Sequence, residues 1–458
     1  MKFGGGLIDL DGTNIPSVLE RISEVKRARD FGAIAVFSAP KGVTDDLQSI
    51  GESRALGRDY DLDSIFSSYS KLASHIVRAS LLNELQGMLD KYRNNVEEAL
   101  SRVDRRFNGS IRARVLATGG ELPTAALMSY ALISGGVPSC FLDKATWPII
   151  TDDNFENASP DFEMSSKKLH ELIQYIEEKR VVSVGGFMGV THDGLETLLG
   201  RGGSDQTAVF LSILLRDHYD IETILFKETP IRSADPEIIK DQQLHRVSSM
   251  TYNEAQKATI SGMNIVQNAA VRIARSHKLP LTVAPLSDPR LGTSIQSDNP
   301  KSQPIKCVTG LSNCAIITMS EERSRSLQDC LVLWEGYDAF LDLGAEVMDT
   351  GQVLRDLLVL DANFVRENEE RLRSFDKDMK IEYGLGVVTL VGDRMRDTPG
   401  VASIAISSIP RINIKRGVFA PHTSQIMLVV NEADVSDAIR KIHRQLNSEG
   451  LFGETTHS

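Results

Sequence analysis

The sequence predicts an α/β chain: a mostly parallel sheet between helical layers over residues 1–298, then a smaller α+β region. Three observations predict it. Short apolar runs of strand length alternate with helical patterns along the first 300 residues, as in sheets covered on both faces. A polar, proline-bearing stretch from Ser297 to Pro304 then interrupts the pattern. Beyond it, one order of strand, helix, strand and strand occurs twice, predicting two modules over residues 311–380 and 381–458. At 458 residues the chain exceeds what one core sustains.

The elements follow in order. Ala33 to Ser38, Arg114 to Thr118, Val181 to Phe187, Thr223 to Phe226 and Leu281 to Ala284 are apolar enough for buried strands. Leu62 to Val103 carries apolar residues at helical spacing and reads as one or two amphipathic helices in a hairpin. Gln206 to Leu215 predicts a helix buried on most sides. Thr251-Tyr252-Asn253-Glu254 is a capping-box pattern, a structural role that leaves Glu254 without chemistry. In the last third, Cys314 to Met319 opens the first module. Val387 to Val391, Val401 to Ser407, Ile412 to Val418, Gln425 to Val430 and a helix from Asp434 to Leu446 make up the second.

Composition narrows the function. A net charge of −11 and a pI near 5.4 argue against nucleic-acid or anionic-membrane partners. Cys140, Cys307, Cys314 and Cys330 have neither metal nor redox-pair spacing and read as reduced thiols of a cytoplasmic protein. No run of about 18 apolar residues predicts a membrane span. Lys2 enters the first strand at once, which leaves no room for a signal peptide.

The densest chemistry lies in Leu199-Gly200-Arg201-Gly202-Gly203-Ser204-Asp205, between a strand and a helix. Glycines let a backbone approach a ligand, and a helix N-terminus offers free N–H groups and a positive dipole end to an anion. Arg201 could grip a carboxylate with two parallel hydrogen bonds. The plain structural alternative is that Ser204 or Asp205 caps the helix and Arg201 forms a surface ion pair.

This segment resembles the aspartate kinase family within the amino acid kinase fold, and the resemblance runs in order through residues 1 to about 296. Lys2-Phe3-Gly4-Gly5-Gly6 is similar to the family's KFGGTS opening. Ala33 to Pro40 with Gly42-Val43-Thr44-Asp45, Gly119-Gly120-Glu121-Leu122, Gly186-Phe187-Met188-Gly189, Ser233-Ala234-Asp235-Pro236 and Leu281 to Pro285 resemble its later motifs. The resemblance implies an αβα sandwich followed by regulatory ACT domains of βαββαβ type. It implies transfer of the ATP γ-phosphoryl group to the β-carboxylate of L-aspartate, with Mg2+, in the lysine, threonine and methionine route. It further implies a homodimer and an amino acid effector at the ACT domains.

By the same resemblance, Arg201 pairs with the substrate carboxylate, Glu121 binds its ammonium and Thr44 adds a hydroxyl. Lys2 and Asp205 are the catalytic residues, and Gly4, Gly5, Gly203 and Ser204 cradle the phosphates. Read singly, Glu121 could serve the helix dipole, Thr44 could be an N-cap, and Lys2 could be a solvated charge. The chain departs from the family on the nucleotide side. Gly6-Leu7 replaces Thr-Ser, Lys227 replaces the acid after a strand, Pro230 replaces a glycine, and Glu237 and Asn264 replace an arginine and a phosphate-side lysine. Lys227 or Arg232 could supply the missing cation, or the Asn264 amide could bind phosphate. Two alternatives stay open: an inactive amino-acid sensor, or a kinase of this fold with another acidic substrate.

Overall fold

The computed structural model describes residues 1–28, 31–200, 202–263, 265–297, 303–335, 339–420 and 424–452. Arg201, Asn264 and the connecting stretch 298–302 lie outside the described residues. Two compact units are present: residues 1–230 with 269–294, and residues 231–268 with 295–458. The segment 231–268, read from sequence as part of the first domain, thus packs with the second unit.

In the first unit the main sheet comprises β1 (Lys2–Phe3), β2 (Ala33–Phe37), β3 (Ser139–Phe141), β5 (Val181–Gly185), β8 (Ile224–Lys227) and β10 (Leu281–Pro285), in the order β3-β5-β2-β1-β8-β10. All of these pairings are parallel. A second small sheet, β4 (Ile150–Thr151), β6 (Met188–Thr191) and β7 (Glu196–Leu198), ends where the glycine-rich segment begins. Phe3 stacks on Phe37 and Phe226 at centroid distances of 5.5 and 5.1 Å, so three central strands share one aromatic row in the core. The helical hairpin is present as Asp63–Ile76 and Ala79–Ser101.

One predicted strand is wrong. Arg114 to Thr118 lies in helix Gly109–Leu116 and a π-turn Ala117–Glu121, which runs on into helix Leu122–Ser134. A short, fully buried apolar run has the same appearance in a core helix as in a core strand. Pro123 accounts for the π-turn: without an N–H it cannot bond back four residues, and the Leu122 amide reaches the Ala117 carbonyl instead. The predicted strand to Phe187 also stops early, at Gly185, because Phe187 takes a left-handed φ of 69°.

The second unit opens with β9 (Ser249–Thr251), and β11 (Thr293–Gln296) carries the chain into its larger part. The capping box at Thr251 and Glu254 is formed as predicted, and starts helix Tyr252–Ile260. The six-stranded antiparallel sheet comprises β12 (Cys307–Ser320), β13 (Phe340–Val347), β14 (Val353–Val359), β15 (Lys380–Val391), β16 (Arg416–Ala420) and β17 (Gln425–Asn431), in the order β13-β14-β12-β15-β17-β16. Its two halves mirror each other, as the repeated element order predicts.

The repeats are nested rather than consecutive. Strand β12 is broken by bulges between Leu311 and Ile316. Its second half, Ala315 to Met319, packs with Leu327, Leu357, Val365 and Leu372 in one core. Val308 in its first half joins Val388, Leu428 and Ile439 in another. Strand β15 divides in the same way, so a βαββαβ module bounded by the inner halves of β12 and β15 is inserted into a second one. In the first module β12 runs directly into helix Glu321–Glu335, and Arg355 pairs with Glu321 at the junction. The second module keeps a turn, Asp393–Asp397, and Gly400 at a φ of 86° before helix Val401–Ser407.

Segment 231–268 is tied to this unit by a buried polar lock. The Ser233 hydroxyl lies 2.8 Å from His443 Nε2, and the opposite ring nitrogen is 3.1 Å from Gln242 Oε1. Burial and the nearby His245 lower the His443 pKa from 6.5 to about 4. The folded state therefore binds this proton less readily than the unfolded one, and the stability that His443 contributes is present above pH 6.5 and lost as pH falls towards 4. Unfolding of the second unit should become easier across that window, and His443→Phe should flatten the slope of a melting-temperature series against pH.

Candidate active site

Strand register gathers the site. Phe3 lies opposite Phe37 and Phe226, and Phe37 lies opposite Gly185, so all four strands end in one row. The residues that follow them, Gly4, Ala39, Gly186 and Lys227 with Glu228, emerge together at the carboxyl edge of the sheet. Parallel sheets bind their ligands at this edge.

At the centre Lys2 Nζ contacts Asp205 Oδ1 at 2.7 Å, with side-chain exposures of 7% and 2%. Lys2 is therefore no solvated terminal charge. Asp205 is the third residue of helix Gly203–Leu215, whose N-cap is Gly202 at a φ of 70° with no side-chain cap. Neither Ser204 nor Asp205 caps the helix. The amides of Gly203, Asp205 and Gln206 close on the carbonyls of Gly200 and Gly202. Gln206 Nε2 donates to the Leu199 carbonyl at 2.7 Å and pins the turn. A Cβ on Gly186 would overlap Ser204, so the end of β5 touches the first helical turn directly. Gly203 packs against Phe187, with 2.9 Å separating the Phe187 Cα from where a Cβ would stand. The helix start is thus closely packed at Gly203.

Glu121 occupies the other side. It is 3% exposed at the end of the π-turn, and one carboxylate oxygen accepts from the Ala39 amide at 3.3 Å. The other oxygen, Oε2, is buried and has no hydrogen-bond partner among the described residues. Burial pushes the Glu121 pKa up to about 8 against the hydrogen bonds from Ala39 and its own amide. The hairpin holds the turn in place: the Tyr69 hydroxyl donates to the Gly120 carbonyl at 2.9 Å, and the Thr124 hydroxyl donates to the same oxygen at 2.8 Å. Glu121 also abuts Gly185, where a Cβ would lie 3.0 Å from its backbone. Gly5 is confined by the Ala39 carbonyl, 2.8 Å from where a Cβ would stand, and Gly4 approaches Lys2 Nζ. Ala39 thus links the glycine turn to Glu121.

Thr44 is half-buried as the second residue of helix Val43–Ala55, after Gly42 at the N-cap position. It is therefore not the N-cap. Lys227 ends β8 beside the central pair. Burial lowers its pKa, the Asp205 and Glu228 carboxylates oppose that, and Lys2 reinforces it. Arg232 belongs to the second unit, where its backbone pairs with that of Arg246 in an isolated antiparallel β-bridge. Sequence reasoning missed the Ala39 amide, which donates through its backbone, and Glu228, whose signal was the missing side chain at Gly6. A Cβ on Gly6 would overlap the Glu228 carboxylate.

This edge, with a buried lysine–carboxylate pair, a glycine turn and a helix start, is where comparison with known proteins is informative. The profile of the amino acid kinase family matches residues 1–285. The chain belongs to the amino acid kinase family. An ACT domain profile also matches residues 388–446, within the second nested module of this amino acid kinase. Among curated proteins, it is 23% identical to lysine-sensitive aspartokinase 3 of Escherichia coli, with 97% of this chain and 98% of that protein aligned. It is 27% identical to an aspartate kinase of Pseudomonas putida, over 72% of this chain and 80% of that one. Among solved structures, Escherichia coli aspartokinase III with aspartate and ADP matches at a TM-score of 0.76 and 19% identity, covering 97% of this chain and 99% of that one. Its complex with lysine and aspartate matches at 0.72 and 19% identity, covering 99% of each chain.

Removing one partner of a buried ion pair leaves the other charge without compensation. Asp205→Ala should cost about 3–5 kcal/mol of first-unit stability, and Asp205→Asn less. Denaturant titration reads this directly, and an unchanged midpoint for Asp205→Ala would show that Lys2 is solvated there.

Proposed function

We propose that this amino acid kinase transfers the γ-phosphoryl group of ATP to the β-carboxylate of L-aspartate. The observation that carries the proposal is Glu121, a buried carboxylate with one oxygen that has no partner among the described residues, on the sheet edge that also holds the Lys2–Asp205 pair. That oxygen is a socket for an ammonium group, which a bare phosphate acceptor would not need. The relatives named as aspartate kinases, and the matching fold of the aspartate- and ADP-bound structure, support the same reading.

The acceptor carboxylate, with an unperturbed pKa near 4, is ionised at neutral pH and needs no general base. Catalysis is then positioning and charge neutralisation. Glu121 takes the α-ammonium, Thr44 offers a hydroxyl, and Arg201 grips the α-carboxylate. Backbone groups of Gly4, Gly5 and Ser204 cradle the phosphates, with Gly203 fixing the helix start. Lys2, held by Asp205, and Lys227 bring positive charge to them. The hard oxygen donors at this edge suit Mg2+, which when bound neutralises charge on the transferring group. The turn of the second ACT module is the effector site, because the first module has no loop between its strand and helix. In this reading the chain acts in the cytoplasm as a homodimer. Among the described residues no helix is long and apolar enough to cross a membrane.

Release of ADP from ATP and Mg2+ upon addition of aspartate, with glutamate and other nucleotides in parallel, tests the proposal. Aspartate-independent or absent release would reject it. Because the Glu121 pKa is raised to about 8, the empty site holds a proton at neutral pH that an incoming ammonium must displace. Aspartate binding at pH 7 should release about one proton, and affinity should rise with pH until about 8. Calorimetry in buffers of different ionisation enthalpy reads the proton count, and a heat independent of buffer would remove Glu121 from the ammonium site. Lys227→Ala should raise the KM for nucleotide and lower kcat while aspartate affinity is unchanged. Wild-type kinetics in both Lys227→Ala and Arg232→Ala would show that neither replaces the lost lysine.

A further inference from the structure

We infer that Glu228 anchors the divalent cation of the bound nucleotide, its carboxylate occupying the volume that Gly6 leaves empty. The inference rests on the nucleotide site proposed above. Gly6 lies in the 3-10 turn Gly5–Leu7 that follows β1, inside the glycine run that lines the phosphate end of the edge. A side chain at position 6 would push the Glu228 carboxylate from its present place, since a Cβ there would overlap Oε1. The bare glycine leaves room over the turn, and a carboxylate from the end of β8 fills it.

The carboxylate is exposed, and among the described residues it makes no hydrogen bond or ion pair. Lys227, the preceding residue, feels its charge together with those of Asp205 and Lys2. An unneutralised carboxylate in a phosphate cradle repels its ligand, and a divalent cation reverses that sign. Mg2+ is commonly held by one or two carboxylates together with substrate phosphates, and keeps several of its waters. Glu228 has the right chemistry, position and freedom for that bridge. Lys227 beside it limits the cost of holding the carboxylate there before the metal–nucleotide complex arrives.

The test is metal binding rather than turnover. Mn2+ affinity is measured by electron paramagnetic resonance in the complex of the full chain with ADP, and ADP affinity is measured separately in a chelator. Glu228→Gln should weaken Mn2+ binding in the ADP complex by about tenfold or more. Its metal-free ADP affinity should stay equal or rise, because a repulsive charge has gone. Gly6→Ala, which displaces the carboxylate but keeps its charge, should weaken Mn2+ in the same way; if that variant does not fold, Glu228→Gln decides alone. Mn2+ affinity within about twofold of wild type in Glu228→Gln would overturn the inference, as would a loss of metal-free ADP affinity, which marks a direct nucleotide contact. Either result, in a wild-type protein that binds ADP and phosphorylates aspartate, leaves the kinase reading standing. A wild-type ADP complex that takes up no Mn2+ overturns both.

Discussion

The buried contact between Lys2 and Asp205 is the constraint around which the first unit is arranged. Two opposite charges at 2.7 Å, nearly excluded from water, are tolerable only if both are held in place. The parallel register of β1 with β2 and β8 fixes Lys2, and the Gly202 turn with the Gln206 hydrogen bond fixes Asp205. The pair costs desolvation and returns a positioned positive end. Neighbouring Lys227 feels both members of the pair, so this edge of the sheet behaves as one coupled set of charges.

The amino acid side is built by a different device. Pro123 disrupts helical bonding at a point where the chain is buried on all sides, and the resulting π-turn sets Glu121 facing the Ala39 amide. The Gly120 carbonyl within the turn is satisfied by Tyr69 and Thr124 rather than by the helix. The hairpin read from sequence as plain packing therefore has a specific duty, which is to hold open an irregular turn that carries a high-pKa carboxylate.

The second unit shows how much regulation-type architecture can come from strand sharing. Two long strands each serve two modules, and each module keeps its own helix-covered core. The first module lost its loop, with Arg355 pairing Glu321 where β12 meets the helix, while the second keeps its turn. Segment 231–268 is locked to the second module through Ser233, Gln242 and His443. The residues that follow β8 in the chain thus belong with the ACT sheet's unit.

Local signals determined much of this protein. Alternation of strands and helices, the Thr251 capping box, the helical hairpin, the glycine-rich turn before Gly203 and the doubled element order are each written in a few neighbouring residues, and each is present. So was the retention of Lys2, Glu121 and Asp205. What the sequence could not decide depends on contacts distant along the chain. Whether RVLAT forms a strand or a helix turns on what buries it, which its neighbours in sequence do not specify. The nesting of the two modules depends on which halves of β12 and β15 share a core, which element order alone does not specify. The pairing of Gly6 with Glu228, more than 200 residues apart, exists only because β1 and β8 are neighbours in register. Local propensity operates within a turn or two of chain, whereas burial, charge coupling and the pKa of Glu121 are properties of the assembled edge.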